Sequence, residues 1–390
     1  MSAPAPPADP MGASEALLSA GIDAHPHARA VLTPALAPGG SPSHAYLFHG
    51  PAGTGKRVVA RAFAAALLVD GARSPETVAE RVARDSHPDL TWVTPSGAAE
   101  MLVADIDAPV VSAATRTPFE SRRRVFVIEG VERMNDQAAN RMLKTLEEPP
   151  AFTHLLLLAD RREDVLATIS SRCQHVRFDP LPAALMAARL DGVDGERARA
   201  CARLALGDAG LATRLASDEG AALRARAEEF ARCTVSGATG QRPWLGLLEA
   251  AKAAGVAAGE RSQELMEREL EMVPSKERKR YEREGAEARR RGERRVRTRT
   301  LEEALRVSEL WLRDMLCVHE GAAELVYAVD RLAELQQDAE QCDAVALQRA
   351  IQLVADTRLS LSLNVSEELA LEALAYRLQA LLAREGKPVG

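Results

Sequence analysis

The 390-residue sequence lacks the features that would place it across a membrane, outside a cell or around a metal. No apolar run approaches the roughly 18 residues that a spanning helix needs. The opening MSAPAPPADPMG carries neither a basic residue nor an apolar segment, which argues against a secretory signal and for a short disordered tail over residues 1–12. Cysteine is scarce, and Cys173, Cys201, Cys233, Cys317 and Cys342 are odd in number, far apart and without a CxxC pair. Neither a disulfide framework nor a zinc cage is suggested, and reduced thiols in a cytoplasm are expected. A strong excess of one charge is missing too: the net charge of −6 argues against a chain that coats nucleic acid with its whole surface.

What is present is a globular composition, 46% hydrophobic and 27% charged, on a chain long enough for two or three domains. Short β-rich runs alternate with helical periods through the first 180 residues. The candidate strands are AYLFHG (45–50), LTWV (90–93), RVFVIEG (124–130), HLLLLAD (154–160) and QHVRF (174–178). Near-continuous apolar strands interleaved with helices predict a parallel sheet covered on both faces, an α/β domain over residues 1–179. After Pro180 and Pro182 the strand signals stop. The breaks GDAG (207–210) and SGATG (236–240) divide a small helical domain at 180–220 from a larger all-α domain at 221–390. LEEALRVSELWLRDML and SEELALEALAYRLQALL carry the apolar stripes of bundle helices.

The stretch Gly50-Pro51-Ala52-Gly53-Thr54-Gly55-Lys56 follows a candidate strand and opens a candidate helix, which is the context of a phosphate-binding loop. Its glycines let backbone N–H groups turn toward phosphate oxygens, Thr54 sits within the turn, and Lys56 reaches outer phosphates. Magnesium would need a Ser or Thr hydroxyl next, but Arg57 stands there and a guanidinium repels a divalent cation. The third strand ends in Glu129-Gly130, so Glu129 remains to hold a cation while the acid that would orient an attacking water is absent. Loss of hydrolysis is the expected consequence. A bound nucleotide or phosphate remains open, with Arg57 either standing in as a counter-charge or turned to solvent. Glu132 is the nearby acid that an active site would have to recruit.

TISSRCQ (168–174) places Arg172 on a loop at the sheet's edge, either as a helix-end arginine bonding free carbonyls or as an arginine finger aimed at a neighbour's nucleotide. Glu147 and Glu148 end the helix that starts near Asn135, where acids oppose the helix dipole, so partners for them are expected. From 276 to 299 twelve Lys/Arg face five Glu with almost nothing apolar. That segment, part of a charged insertion at about 260–300, reads either as a solvated helix or linker with i,i+4 charge pairs, or as a basic arm for phosphates.

Taken together, HAYLFHGPAGTGK, HPDL (87–90), RVFVIEGVERMNDQAANRMLKTLEEPP, TISSRC and LNVSEELALEAL (363–374) resemble the AAA+ subunits of bacterial DNA polymerase III clamp loaders, most of all those of the delta-prime type. The resemblance implies an AAA+ P-loop domain, a helical lid and a C-terminal collar. It implies a hetero-pentamer with motor ATPase subunits and a delta subunit, acting on a sliding clamp and primer-template DNA. Motor subunits keep the hydroxyl and the acid pair, whereas delta-prime subunits lose them and act as stators; Arg57, Glu129 and Gly130 fall on the stator side, and Arg172 matches the finger. No cofactor is then required. LLVDGARSPETVAERVARDS (67–86) lacks the four cysteines of the zinc module found in many relatives, so no zinc is expected. The alternatives are an active motor ATPase of the gamma/tau type and a nucleic-acid-binding adaptor that uses the basic segment.

Overall fold

A computed structural model describes residues 18, 22–37, 39–70, 72, 74–95, 100–270, 278–361 and 365–383. The tail expected over 1–12 lies outside these residues, as do 271–277 of the charged insertion and 363–364 of the C-terminal motif. The chain forms two compact units. One runs to Pro182 and takes in Leu206–Gly210; the other holds Ala183–Ala205 and continues from Leu211.

The first unit is an α/β domain around five parallel strands: β1 (Ala45–His49), β2 (Leu90–Val93), β3 (Arg124–Glu129), β4 (Thr153–Ala159) and β5 (Gln174–Arg177), in the order β2-β3-β4-β1-β5. All five expected strands are found. Alternate residues supply two separate cores, because successive strand side chains point to opposite faces. Tyr46, Phe48, Val127 and Leu156 pack with Val59 and Phe63 of α2 (Lys56–Val69) on one face. Leu47, Phe126, Ile128 and Leu157 pack with Met142 and Leu146 of α4 (Asp136–Glu147) on the other, α1 (Pro26–Leu36) and α3 (Pro75–Ala83) preceding α4 in the chain. The central β4 is buried throughout, which is why its sequence is a plain apolar run. Asp89 of the HPDL motif is fully buried at the start of β2. It accepts the N–H groups of Phe119, Glu120 and Ser121, at 2.5, 2.9 and 2.8 Å, and so ties the loop before β3 to the sheet.

His154 on β4 is also buried, with its Nδ1 2.9 Å from the Ser43 carbonyl and its ring stacked on His44. Burial lowers its pKa from 6.5 to about 4. The unfolded chain therefore binds this proton at a higher pH than the fold does. Stability is full above about pH 6.5 and falls as the pH drops toward 4, by up to about 3 kcal/mol. Urea midpoints measured between pH 7 and 4 should decline in that window, and His154→Gln should flatten the decline; a midpoint as steep as before would contradict this role.

Among its described residues the second unit holds helices and connecting turns but no strand. It contains α6 (Gly195–Leu204), α7 (Asp218–Ser236), α8 (Trp244–Leu270), α9 (Arg278–His319), α10 (Leu332–Ala339), α11 (Ala344–Ser360) and α12 (Glu367–Leu382), the short α5 (Ala167–Ser170) belonging to the first unit. The apolar stripe 301–316 is the C-terminal part of the 42-residue α9, and the basic segment is its N-terminal part. Leu301, Leu305 and Leu312 of α9, Leu347 and Val354 of α11, and Leu371, Leu374 and Leu378 of α12 are buried. Among them sits a charged core: Arg224 donates in parallel to both oxygens of Asp330, at 2.7 and 2.9 Å, and through Nε to Glu228 at 2.6 Å.

Candidate nucleotide site

The loop between β1 and α2 has the backbone of a phosphate cradle. Gly53 and Gly55 adopt φ of +74° and +92°, a region that disfavours any residue with a Cβ. Thr54 is buried and its hydroxyl donates to the Pro51 carbonyl at 2.9 Å, so it braces the turn rather than facing a ligand. The lysine of the loop is already engaged by the protein. Lys56, 7% exposed, donates through Nζ to the carbonyls of Gly50 and Pro51 and to Asp160 Oδ1, the last at 2.9 Å. The carboxylate of Asp208 lies where a Cβ on Gly53 would point, placing a second negative charge against the loop.

Arg57 turns toward the end of β3. Its Nε lies 2.7 Å from Glu129 Oε1, the same oxygen that accepts the Trp92 indole N–H at 2.5 Å. In a hydrolytic loop a hydroxyl at position 57 and an acid at 129 would share a divalent cation; here a guanidinium bridges the gap. The Arg57 side chain is 66% exposed and paired with Glu129. Gly130 has a left-handed backbone, φ +67°, and a Cβ there would approach Pro95 Cγ at 3.1 Å. The turn itself therefore disfavours an acid at that position. Among the described residues no group of three or more His, Cys, Asp or Glu is arranged to hold a metal ion.

Beside the Lys56 and Asp160 pair opens a cavity of about 520 Å³ lined by Glu132, Arg133, Asn135, Asp160, Arg161 and Asp164. Asn135 is the N-cap of α4, accepting from the Ala138 N–H. Desolvation, helped by the charge of Asp160, raises the pKa of the Glu132 carboxyl above the usual glutamate value. Arg172 lies just past α5, 34% exposed, and bonds a carbonyl at the end of that helix. Its Nη1 donates to the Thr168 carbonyl at 2.9 Å and its Nη2 pairs with Glu147. Glu147, whose place at the end of α4 opposes the helix dipole, thereby has its partner.

Asp160, Asp208 and Trp92 were not legible as parts of this site. β1 pairs with β4, His49 opposite Ala159, so the residues that follow, Gly50 and Asp160, come side by side. An acid after the HLLLLA run was the available signal, but its meaning depends on a strand order that the sequence does not display.

A parallel sheet with a strand-to-helix glycine loop at its C-terminal edge, followed in the chain by a helical unit, makes a P-loop domain of AAA+-like fold. Residues 25–182 match the family model described as DNA polymerase III, delta subunit. Over that region the chain is similar to DNA polymerase III subunits of the delta-prime type. The DNA polymerase III subunit delta' of Pseudomonas aeruginosa is 38% identical over 147 residues, 36% of this chain and 44% of that protein. The subunit delta' of Bacillus subtilis is 38% identical over 143 residues, 36% of this chain and 43% of that protein. The chain thus spans less than half the length of these relatives. A Thermotoga maritima DNA polymerase III gamma subunit-related protein of solved structure aligns over 87% of this chain and 94% of its own, at 16% identity and a TM-score of 0.45. No described helix is long and apolar enough to cross a membrane.

Proposed function

We propose that the chain is a non-hydrolysing stator of a replicative clamp loader in the cytoplasm. It assembles with motor ATPase subunits and a delta subunit in a hetero-pentamer that places a sliding clamp on primer-template DNA, and it supplies Arg172 to a neighbour's ATP. The helical unit past Pro182 takes the roles of lid, to about residue 220, and collar. The observation that carries this reading is the Arg57 to Glu129 ion pair across the place where a metal would bridge loop and strand. With Lys56 bound to Asp160 and Gly130 in place of an acid, three steps of phosphoryl transfer lack their groups: phosphate contact, metal support and water activation. The reading requires no cofactor, no metal and no zinc. A phosphate or nucleotide on Gly50, Gly53, Thr54, Gly55 and Lys56 would have to displace Asp160 from the lysine.

This leads to an assay on the full chain. Purified alone with primed DNA it should show no ATP turnover. Asp160→Asn should bind a fluorescent ATP analogue about tenfold tighter, equivalent to about 1.4 kcal/mol, because a carboxylate no longer competes with phosphate for Lys56. It should remain without turnover, since nothing in the variant activates water. Turnover by the unaltered chain that Lys56→Ala abolishes would overturn the stator reading and favour the motor alternative, with Glu132 as its base.

A further inference from the structure

We propose that the solvent face of α9 between residues 283 and 295 binds the phosphate backbone of duplex nucleic acid, without reading its sequence. The stretch 278–299 carries eleven Lys or Arg and four Glu. It is helical and packs against α8 as an antiparallel hairpin, close-fitted through glycines. A Cβ on Gly285 would collide with Met266 Sδ, and a Cβ on Gly255 would come to 3.0 Å from the Glu293 carbonyl oxygen. These contacts fix which face of α9 is turned inward, and the opposite face carries the charge. Arg283, Arg290 and Arg294 recur at i, i+7 and i+11, one stripe along a helix, with Arg291 and Arg295 beside it; all five are exposed. The stripe is about 16 Å long, the axial rise of about five phosphates on one strand.

Internal pairing covers only part of this face. Glu287 is shared by Arg283 and Arg291 at 4.0 and 3.9 Å and Arg294 has a partner of its own, while among the described residues Arg290 and Arg295 make no ion pair. Arg289 and Arg299 are spent on Glu293 and Glu303, and Arg297 on Glu367. The remaining pattern works against the helix itself. Arg290 with Arg294 and Arg291 with Arg295 are like-charge i,i+4 pairs. An external anion relieves this repulsion.

The same surface is wrong for other occupants. Tyr281 and Val296 are the only large apolar residues between 278 and 299, and neither is exposed. A protein partner would be offered no apolar centre, and single-stranded bases no stacking platform. A regular row of phosphates needs neither. This inference stands on the hairpin alone and does not depend on the clamp-loader reading.

The test is binding of a fluorescein-labelled mixed-sequence DNA duplex to the full chain, measured against salt between about 50 and about 200 mM. Replacing Arg290, Arg294 and Arg295 together with Ala should weaken binding at the lowest salt by at least about tenfold. The log–log salt slope should flatten by 2 to 3, close to one ion per lost phosphate contact. Alanine is a strong helix former, so circular dichroism should be unchanged, and the triple Arg→Lys variant should bind nearly as well as the original. Equal affinity and slope in the alanine variant would overturn the proposal. So would displacement of the duplex by polyglutamate at matched charge, which would assign the stripe to an acidic protein.

Discussion

Arg172→Ala should leave the chain folded and the loader assembled, yet lower ATP hydrolysis by the reconstituted complex about 10³-fold or more, the worth of an arginine finger supplied to another subunit's nucleotide. In this chain the guanidinium is parked. It bonds the Thr168 carbonyl at 2.9 Å and the Glu147 carboxylate, both partners lying at its own side of the sheet. The parking is weak, because the two side chains are 34% and 49% exposed and exposed ion pairs contribute about 0 to 1 kcal/mol. A neighbour's γ-phosphate, doubly charged and held in a drier interface, would outcompete Glu147. Arg172→Lys should rescue little, since an ammonium lacks the planar fork that spans phosphate oxygens. Glu147→Gln should leave hydrolysis near its original rate, having removed only the resting partner. Steady-state ATPase of assembled complexes, normalised to assembly by gel filtration, decides the matter. If Arg172 served only to cap α5, the alanine variant would melt slightly earlier and hydrolyse at the same rate, and the residue would drop out of the mechanism.

The second large effect is on stability. Arg224→Met should destabilise the helical unit by about 3 to 5 kcal/mol, because the buried Glu228 and the partly buried Asp330 would be left without their main counter-ion. Arg224 is 6% exposed; burial works to lower its pKa, but the hydrogen bonds it donates to Asp330 and Glu228, with their charges, outweigh that and raise it. Arg331 still reaches Glu228 at 3.4 Å, so the loss falls mainly on Asp330. The cost belongs to the broken pairing and not to the absence of charge as such. Adding Glu228→Leu and Asp330→Leu to Arg224→Met should therefore recover most of the lost stability, since an apolar trio of similar volume needs no desolvation of ions. Urea unfolding followed by circular dichroism measures both variants, each unit being read as its own transition. A triple variant no better than the single one would show that the network's geometry, not its charge balance, is what the fold requires.

Much of the fold was readable in advance because it rests on local rules. Apolar strand runs marked β1 to β5, the glycine-rich turn marked the loop, and the proline pair 149–150 marked the end of α4. The residues that set the site's chemistry were equally local: Arg57 follows the loop lysine and Gly130 follows Glu129 in the sequence. What those residues do instead was not readable. The choice of Arg57 between solvent and Glu129 turns on where Trp92, on β2, presents its indole to the same carboxylate. The fate of Glu147 likewise depended on Arg172, 25 residues away in sequence and adjacent only in the folded domain.

The sequence by itself determined that this chain has a glycine-rich strand-to-helix turn with Arg57 after its lysine and Gly130 after Glu129, and that an arginine follows the short helix before the last strand. Residue type and short spacing carry that information, because a missing hydroxyl or acid cannot be restored by folding. Only the tertiary structure decided that the loop is satisfied from within. Lys56 meets Asp160 because parallel strands β1 and β4 are neighbours, and Asp208 reaches Gly53 because the segment Leu206–Gly210 joins the first unit after an excursion into the second. Charge pairing acts over a few ångströms of space and is blind to distance along the chain, so these partners became visible only once the sheet order was known.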